Sequence, residues 1–453
     1  MRKINKRQGL MLCAAGLLVL VMLTVFVRLG TRHVLVKRAH MDNFITRMIL
    51  YGNAELQMFD AKASSEKIVW EKAYPFADID GGKKIAALPT KKIESKVAGV
   101  EKKIDDWTGK YLLGYYKLAE AGRGYADGIG WGLISPDKDA LMPLGDGAWT
   151  FVYPRDKKAI QEKSASLADL AQMVTENGGQ FLYIQAPVKV DPYVDFAVNG
   201  RFDFSNQNCD DLLEQLRARG IKTLDLRQDL HRWAQEEHIS YHDYFFRTDH
   251  HWKPETALRA AKVVGDRLRE YGIPVDDSHY DLQDFDVEVL PEYFLGSQGK
   301  RATLARTTPD DFSILHPKFL TKITLNIPEK NIYDTGDFEL VYDKEKVERC
   351  DYYHLNPYAM YGYGDMQVMD IENLMMAPTD KKVLIIKDSF CDTMAPLLSL
   401  GIRNLMTLDV RHFTGSVKNY IAVHKPDVVI VMYTGSLSGH IDWSSHKDQF
   451  DFR

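Results

Sequence analysis

Five strand-like runs recur along the chain: FLYIQAP (181–187), which is continuous and apolar, IKTLDLR (221–227), KKVLIIKDSF (381–390), IRNLMTLDVRHF (402–413) and PDVVIVMYTGS (426–436). Apolar runs without polar alternation suit strands buried on both faces, and such strands occur in parallel sheets covered by helices. Helical patterns separate the runs. Ser166–Glu176 is stopped by Gly178 and Gly179, and DDLLEQLRARG (210–220) ends in its own glycine. A helix starts at Pro254, a favoured first helical position; its Leu258, Ala261, Val264 and Leu268 share one face, and Gly272 ends it. This alternation predicts an α/β fold with a parallel sheet between helix layers. Residues of about 281–380, with KITLNI and FELVYD, interrupt the rhythm as a β-rich insertion. Sites in such folds lie at the carboxyl ends of the strands, and each run ends there in polar or turn residues. The chain has no internal repeat, P-loop or Gly-x-Gly-x-x-Gly.

With 45% apolar and 27% charged residues the chain is globular in composition. A net charge of −5 without a strongly basic domain argues against nucleic-acid binding of the basic type. One stretch departs from this average. Gly9–Val27 carries no charge over 19 residues, enough to cross a hydrocarbon core of about 30 Å. It predicts a transmembrane signal anchor over 9–29 behind a short tail, 1–8. Arg2, Lys3, Lys6 and Arg7 precede it and Arg28, Arg32, Lys37 and Arg38 follow, so the flanking charges do not set its orientation. The simpler insertion leaves the tail cytoplasmic and the large C-terminal part outside. Residues 30–99 read as a membrane-proximal helical or linker region and 100–453 as the main domain. Ile93, Val97, Val100, Ile104, Trp107 and Tyr111 predict one face of a helix beginning near Thr90. Of the 4 cysteines, Cys13 is in the span and Cys209, Cys350 and Cys391 show no metal-ligand spacing, so this is no disulfide scaffold.

Two loops carry the chemistry. In VLIIKDSFCDTM, Ser389 follows an apolar strand and opens a helix, where backbone N–H groups can stabilise an oxyanion. Asp and Ser are also ordinary helix caps. In YFFRTDHHW, Asp249, His250 and His251 precede the helix at Pro254. A serine nucleophile needs a base, and the base needs an acceptor to fix its tautomer. In Asp-x-His the Asp249 carboxylate can turn back onto His251, while His250 would leave on the other side of an extended chain. Trp252 can then screen the base from solvent. A metal site built from His242, Asp243, Asp249, His250 and His251 is the rival; it has ligands enough but no His-x-x-x-His on a helix. No metal or other cofactor is expected. The aromatic tract DYYHLNPYAMYGYGD (351–365) reads equally as a sugar-stacking surface or as core, with Trp252, Tyr358 and Tyr361 as candidate substrate contacts. Gly362 and Gly364 can let backbone N–H groups approach a ligand.

Together these blocks resemble the DHHW protein family, within the SGNH-hydrolase-like group that includes the alginate O-acetyltransferases. The resemblance rests on YFFRTDHHW (244–252), YIQAPVKVDPY (183–193), FLGSQGKRAT (294–303), VLIIKDSF (383–390), LDVRHFTGSVKNYI (408–421) and DVVIVMYTGS (427–436), in the family's order. It implies a three-layer α/β/α SGNH-hydrolase-like fold, a membrane anchor and an extracytoplasmic domain. It also implies a catalytic triad of Ser389, His251 and Asp249. Relatives carry an asparagine after the glycines where this chain has Asp365. The function it implies is O-acylation, in particular O-acetylation, of a cell-envelope or exported polysaccharide, beside a membrane-bound acyltransferase partner. The Ser389 N–H with that of Gly362 or Gly364 would hold the oxyanion. An esterase with the same triad, and a non-catalytic glycan-binding or assembly partner, are the alternatives.

Overall fold

The structure is a computed structural model that describes residues 141–153, 155–194, 197–198, 201–438 and 448–453. The tail 1–8, the predicted span 9–29, the segment 30–99 and the helix near Thr90 lie outside the described residues. Among the described residues no helix is long and apolar enough to cross a membrane.

In chain order the strands and α-helices are β1 (Leu141–Gly145), β2 (Ala148–Phe151), α1 (Lys157–Glu176), β3 (Gln180–Ala186), β4 (Ala197–Val198), β5 (Arg201–Phe202), α2 (Ser205–Ala218), β6 (Thr223–Asp225), α3 (Leu226–Glu237) and α4 (Pro254–Arg269). There follow β7 (Phe285–Phe294), α5 (Ser297–Ala302), β8 (Asp310–Pro317), β9 (Ile323–Ile327), β10 (Ile332–Gly336), β11 (Val368–Asn373), β12 (Val383–Lys387), α6 (Phe390–Ser399), β13 (Asn404–Leu408), α7 (Val417–His424) and β14 (Val428–Thr434).

An eight-stranded sheet runs β10-β9-β11-β13-β12-β14-β3-β6. The five strands from β13 to β6 are parallel and correspond to the five strand-like runs. The insertion does not stand apart: β9, β10 and β11 extend the same sheet antiparallel, and only β7 and β8 form a ribbon of their own. Two expected strands are cut short. IKTLDLR keeps three strand residues because the Asp225 side chain caps α3 by accepting from the Arg227 N–H. FELVYD is a 3-10 turn at Phe338–Val341, opened by Asp337 accepting from the Glu339 N–H.

Strand alternation divides the core between the two faces. Leu182, Ile184, Val383, Ile385, Val428, Ile430 and Met432 meet α3, α4 and α6. Phe181, Tyr183, Leu384, Ile386, Val429, Val431 and Tyr433 meet α1, α2 and α7. The result is three layers, helix–sheet–helix. From β12 the chain goes to β13 on one side and then crosses to β14 on the other. The carboxyl end of β12 therefore lies at a reversal of strand order, where open α/β sheets form their ligand crevices.

Candidate active site

Ser389 follows β12 at that end, half-buried, with helical backbone angles, φ −65° and ψ −16°. It occupies the N-cap position of α6 but makes no side-chain capping hydrogen bond. Asp388 caps instead: its Oδ1 accepts from the Phe390 N–H at 3.0 Å and its Oδ2 from the Thr434 N–H at 2.6 Å, tying the ends of β12 and β14 together. Burial pushes the Asp388 carboxyl up to about 6. The serine hydroxyl is thus left for another partner, and its oxygen lies 2.7 Å from His251 Nε2. Among the described residues the Ser389 N–H has no acceptor, which leaves it as an oxyanion donor.

The histidine comes from a closed loop. Phe245 and Trp252 pair as an antiparallel bridge, the Phe246 N–H donates to the His251 carbonyl at 3.1 Å, and the Lys253 N–H donates to the Tyr244 carbonyl at 3.0 Å. Asp310 anchors the turn, with Oδ1 accepting from the Arg247 N–H at 2.9 Å and Oδ2 from the Thr248 N–H at 2.8 Å. Within it Asp249 Oδ1 lies 2.5 Å from His251 Nδ1 and 3.0 Å from the His251 backbone nitrogen. Asp249 and His251 are buried, with 3% and 2% of their surface exposed. Burial alone would raise the Asp249 carboxyl; the imidazoles of His250 and His251 and the Ser297 N–H outweigh it and hold the carboxyl well below its usual range.

The FLGSQGK block is the seat of this acid. The Ser297 N–H, at the start of α5, donates to Asp249 Oδ2 at 2.6 Å. A Cβ at Gly296 would stand 2.2 Å from the Asp249 Cβ, and one at Gly299 2.6 Å from the Thr248 Cβ, so only glycine permits the approach. Buried Lys189, from the YIQAPVKVDPY block, donates to Gln298 Oε1 at 2.7 Å and to the carbonyls of Trp149 and Arg247 at 2.8 and 3.1 Å, joining α5, β2 and the loop. Sequence reasoning missed Ser297, Lys189 and Asp310 as parts of the site. The blocks that hold Ser297 and Lys189 are visible in the sequence, Asp310 lies in none of them, and nothing local points any of the three at Asp249.

Other expectations meet corrections. The Gly362 N–H donates to the Val341 carbonyl at 2.9 Å and the Gly364 N–H to the Tyr361 carbonyl at 3.1 Å, so neither is free for an oxyanion. Trp252, Tyr358 and Tyr361 are buried core residues, not a sugar-stacking surface. Tyr358 stacks behind His251, centroids 4.0 Å apart and planes 13° from parallel, while Trp252 Nε1 donates to the Phe390 carbonyl at 3.0 Å. His250 does not point away either. The chain turns at this point, and its ring lies 3.8 Å from that of His251. Asp365, in place of the asparagine, forms an ion pair with Arg411. Two acid-histidine groups bring potential metal ligands within 4.8 Å of one another: Asp249, His250 and His251, and Asp365, Asp409 and His412. In the first, both Asp249 oxygens already accept hydrogen bonds. In the second, the Arg411 guanidinium holds Asp365 and Asp409.

Residues 147–309 match the family model described as the SGNH hydrolase-like domain of the acetyltransferase AlgX. That stretch contains the Asp249–His251 loop and its α5 seat, and ends before Ser389. No curated protein sequence matches the chain. Among solved structures, Bacillus cereus PatB1 with a sulfonyl adduct is 18% identical with a TM-score of 0.54, over 69% of this chain and 98% of that one. A DHHW family protein from Eubacterium siraeum is 17% identical with a TM-score of 0.50, over 66% and 92%. The O-acetyltransferase domain of Pseudomonas putida AlgJ is 14% identical with a TM-score of 0.43, over 69% and 96%. At these identities PatB1 and the Eubacterium siraeum protein share the fold with this chain. A mostly parallel sheet between helix layers, with an AlgX-type segment at 147–309, makes this an SGNH-hydrolase-like α/β protein that resembles the DHHW family.

Proposed function

We propose that the protein is an O-acetyltransferase that moves an acetyl group through an acyl-Ser389 intermediate onto a hydroxyl of a cell-envelope or exported polysaccharide. The observation that carries this reading is the continuous relay of Asp249, His251 and Ser389 at 2.5 and 2.7 Å, on a serine that is not used as a cap. The AlgX family model, described as an acetyltransferase, supports the choice of acyl group.

In the first half-reaction Ser389 Oγ bonds to the carbonyl carbon of an acetyl donor and its proton passes to His251 Nε2. The Ser389 N–H meets the oxyanion. The bond from carbon to the leaving oxygen then breaks, and His251 returns the proton to that oxygen. In the second half an acceptor hydroxyl attacks the acetyl-serine, gives its proton to His251, and Ser389 leaves with that proton. Asp249 fixes His251 with Nδ1 protonated and stabilises the imidazolium. The charge-free stretch Gly9–Val27 would hold the domain at the membrane on the extracytoplasmic side, with a membrane-bound acyltransferase as the source of acetyl groups.

The test is intact-mass analysis after exposure to an activated acetyl ester, or to a sulfonyl reagent of the kind that forms an adduct with PatB1. One added group is expected in the unaltered chain and none in Ser389→Ala. An adduct that persists in Ser389→Ala, or maps to Cys391, removes Ser389 from the reaction. Transfer of the acetyl to an added oligosaccharide, and not only to water, separates the transferase from an esterase.

A further inference from the structure

His250 has no task in the relay, yet it is the most open side chain beside it. Its side chain is 34% exposed, against 4% for Asp249 and 2% for His251. Its ring packs beside that of His251, centroids 3.8 Å apart and planes tilted by 38°. Nδ1 faces inward, 3.1 Å from Ser297 Oγ and 3.5 Å from Asp249 Oδ1. Two oxygen acceptors there, one of them a carboxylate, favour the tautomer with hydrogen on Nδ1. Nε2 is then a lone-pair acceptor, and among the described residues it has no partner. The two rings thus stand side by side. One takes the proton of the reacting hydroxyl at Ser389, and the other offers an unused acceptor.

Building on the acyl-serine reading, we infer that His250 is a specificity-determining residue whose Nε2 accepts a hydrogen bond from a second hydroxyl of the acceptor, so that the site selects a vicinal diol of the kind a pyranose presents. A simple alcohol can give its one proton to His251 but leaves His250 unmet. A diol satisfies both rings at once and is held with one oxygen against the acetyl carbon. Orientation of this kind acts in the second half-reaction, after the acetyl group is on Ser389.

The experiment uses the full chain, an activated acetyl ester as donor, and two acceptors that differ by one hydroxyl, cis-cyclohexanediol and cyclohexanol. The reading is the ratio of the two transfer rates. The unaltered protein should prefer the diol by about ten- to a hundredfold, the size of one hydrogen bond to a buried polar group. His250→Ala should bring the ratio close to one, and His250→Gln, which keeps an acceptor, should restore part of it. A merely structural role would lower both rates alike and leave the ratio where it was, and that result overturns the inference. So does a ratio near one in the unaltered protein, or an acetyl-enzyme that passes its acetyl only to water. If the unaltered protein forms no acetyl-Ser389 at all, the acyl-serine reading itself fails.

Discussion

Two buried polar clusters flank the turn at Ser389, and only one of them ends in an unspent atom. The cluster of Asp249, His251, His250 and Ser297 reaches outward to the half-buried serine. The other lies inward, where Lys387, the last residue of β12, forms ion pairs with Asp392 and Asp409, and Arg411 pairs with Asp409 and Asp365. Lys387, Asp392 and Asp409 are each at most 3% exposed. Burial alone would lower the Lys387 ammonium; Asp392 and Asp409 outweigh it and raise it above its ordinary value. Its donors are spent, since the Gly364 carbonyl also accepts from it at 3.4 Å. Buried charge is therefore no mark of chemistry by itself. In the inner cluster every opposite charge is answered from within, which holds the ends of β12 and β13 and the 362–365 loop in one place. In the outer cluster the chain of hydrogen bonds ends on the half-buried Ser389 hydroxyl.

The comparison can be broken most directly at the outer cluster. His251→Ala should lower acetyl turnover by several powers of ten, as Ser389→Ala does, and the double variant should lose little more, because members of such a relay act as a unit. Thermal unfolding of Ser389→Ala should change little, whereas His251→Ala, which leaves the buried Asp249 carboxylate without its ring, should also lose stability. If the two single losses multiply in the double variant, the residues do not share one step.

Lys387→Met should do the reverse. It leaves the buried Asp392 and Asp409 carboxyls without that cation, which costs about 3–5 kcal/mol in denaturant unfolding. A cost below 1 kcal/mol would show that the inner cluster is not held together by this ammonium.

The smallest effect is a dependence on pH. Folding lowers the Asp249 carboxyl below its ordinary value of 3.8, so the stability it contributes is present above that pH and is lost as pH falls toward the folded value. Asp249→Asn should be less stable than the unaltered protein by about 1–3 kcal/mol at pH 6, and the gap should narrow as pH falls below about 4. A gap that stays constant from pH 6 to pH 3 would mean that the carboxylate charge adds nothing to the fold.

The parallel sheet and the residues of the relay are legible in local sequence. A parallel strand must be apolar on both faces, so β3, β12 and β14 read as unbroken runs, and the carboxyl end of β12 marks Ser389. The Asp-x-His spacing is local too, since a carboxylate two residues before a ring can reach it within one turn. Which groups remain unspent depends on packing between distant segments. The Gly362 and Gly364 N–H groups are lost to the Val341 and Tyr361 carbonyls. Trp252, Tyr358 and Tyr361 read equally as sugar platform or core until the packing of α6 and β8 closed over them. His250 was assigned by the alternation of an extended chain, but Asp310 holds the preceding residues in a turn, and in a turn successive side chains can share a side. Hydrogen-bond partners and burial depend on what distant segments bring to a point, and a stretch of sequence carries no record of its neighbours in space.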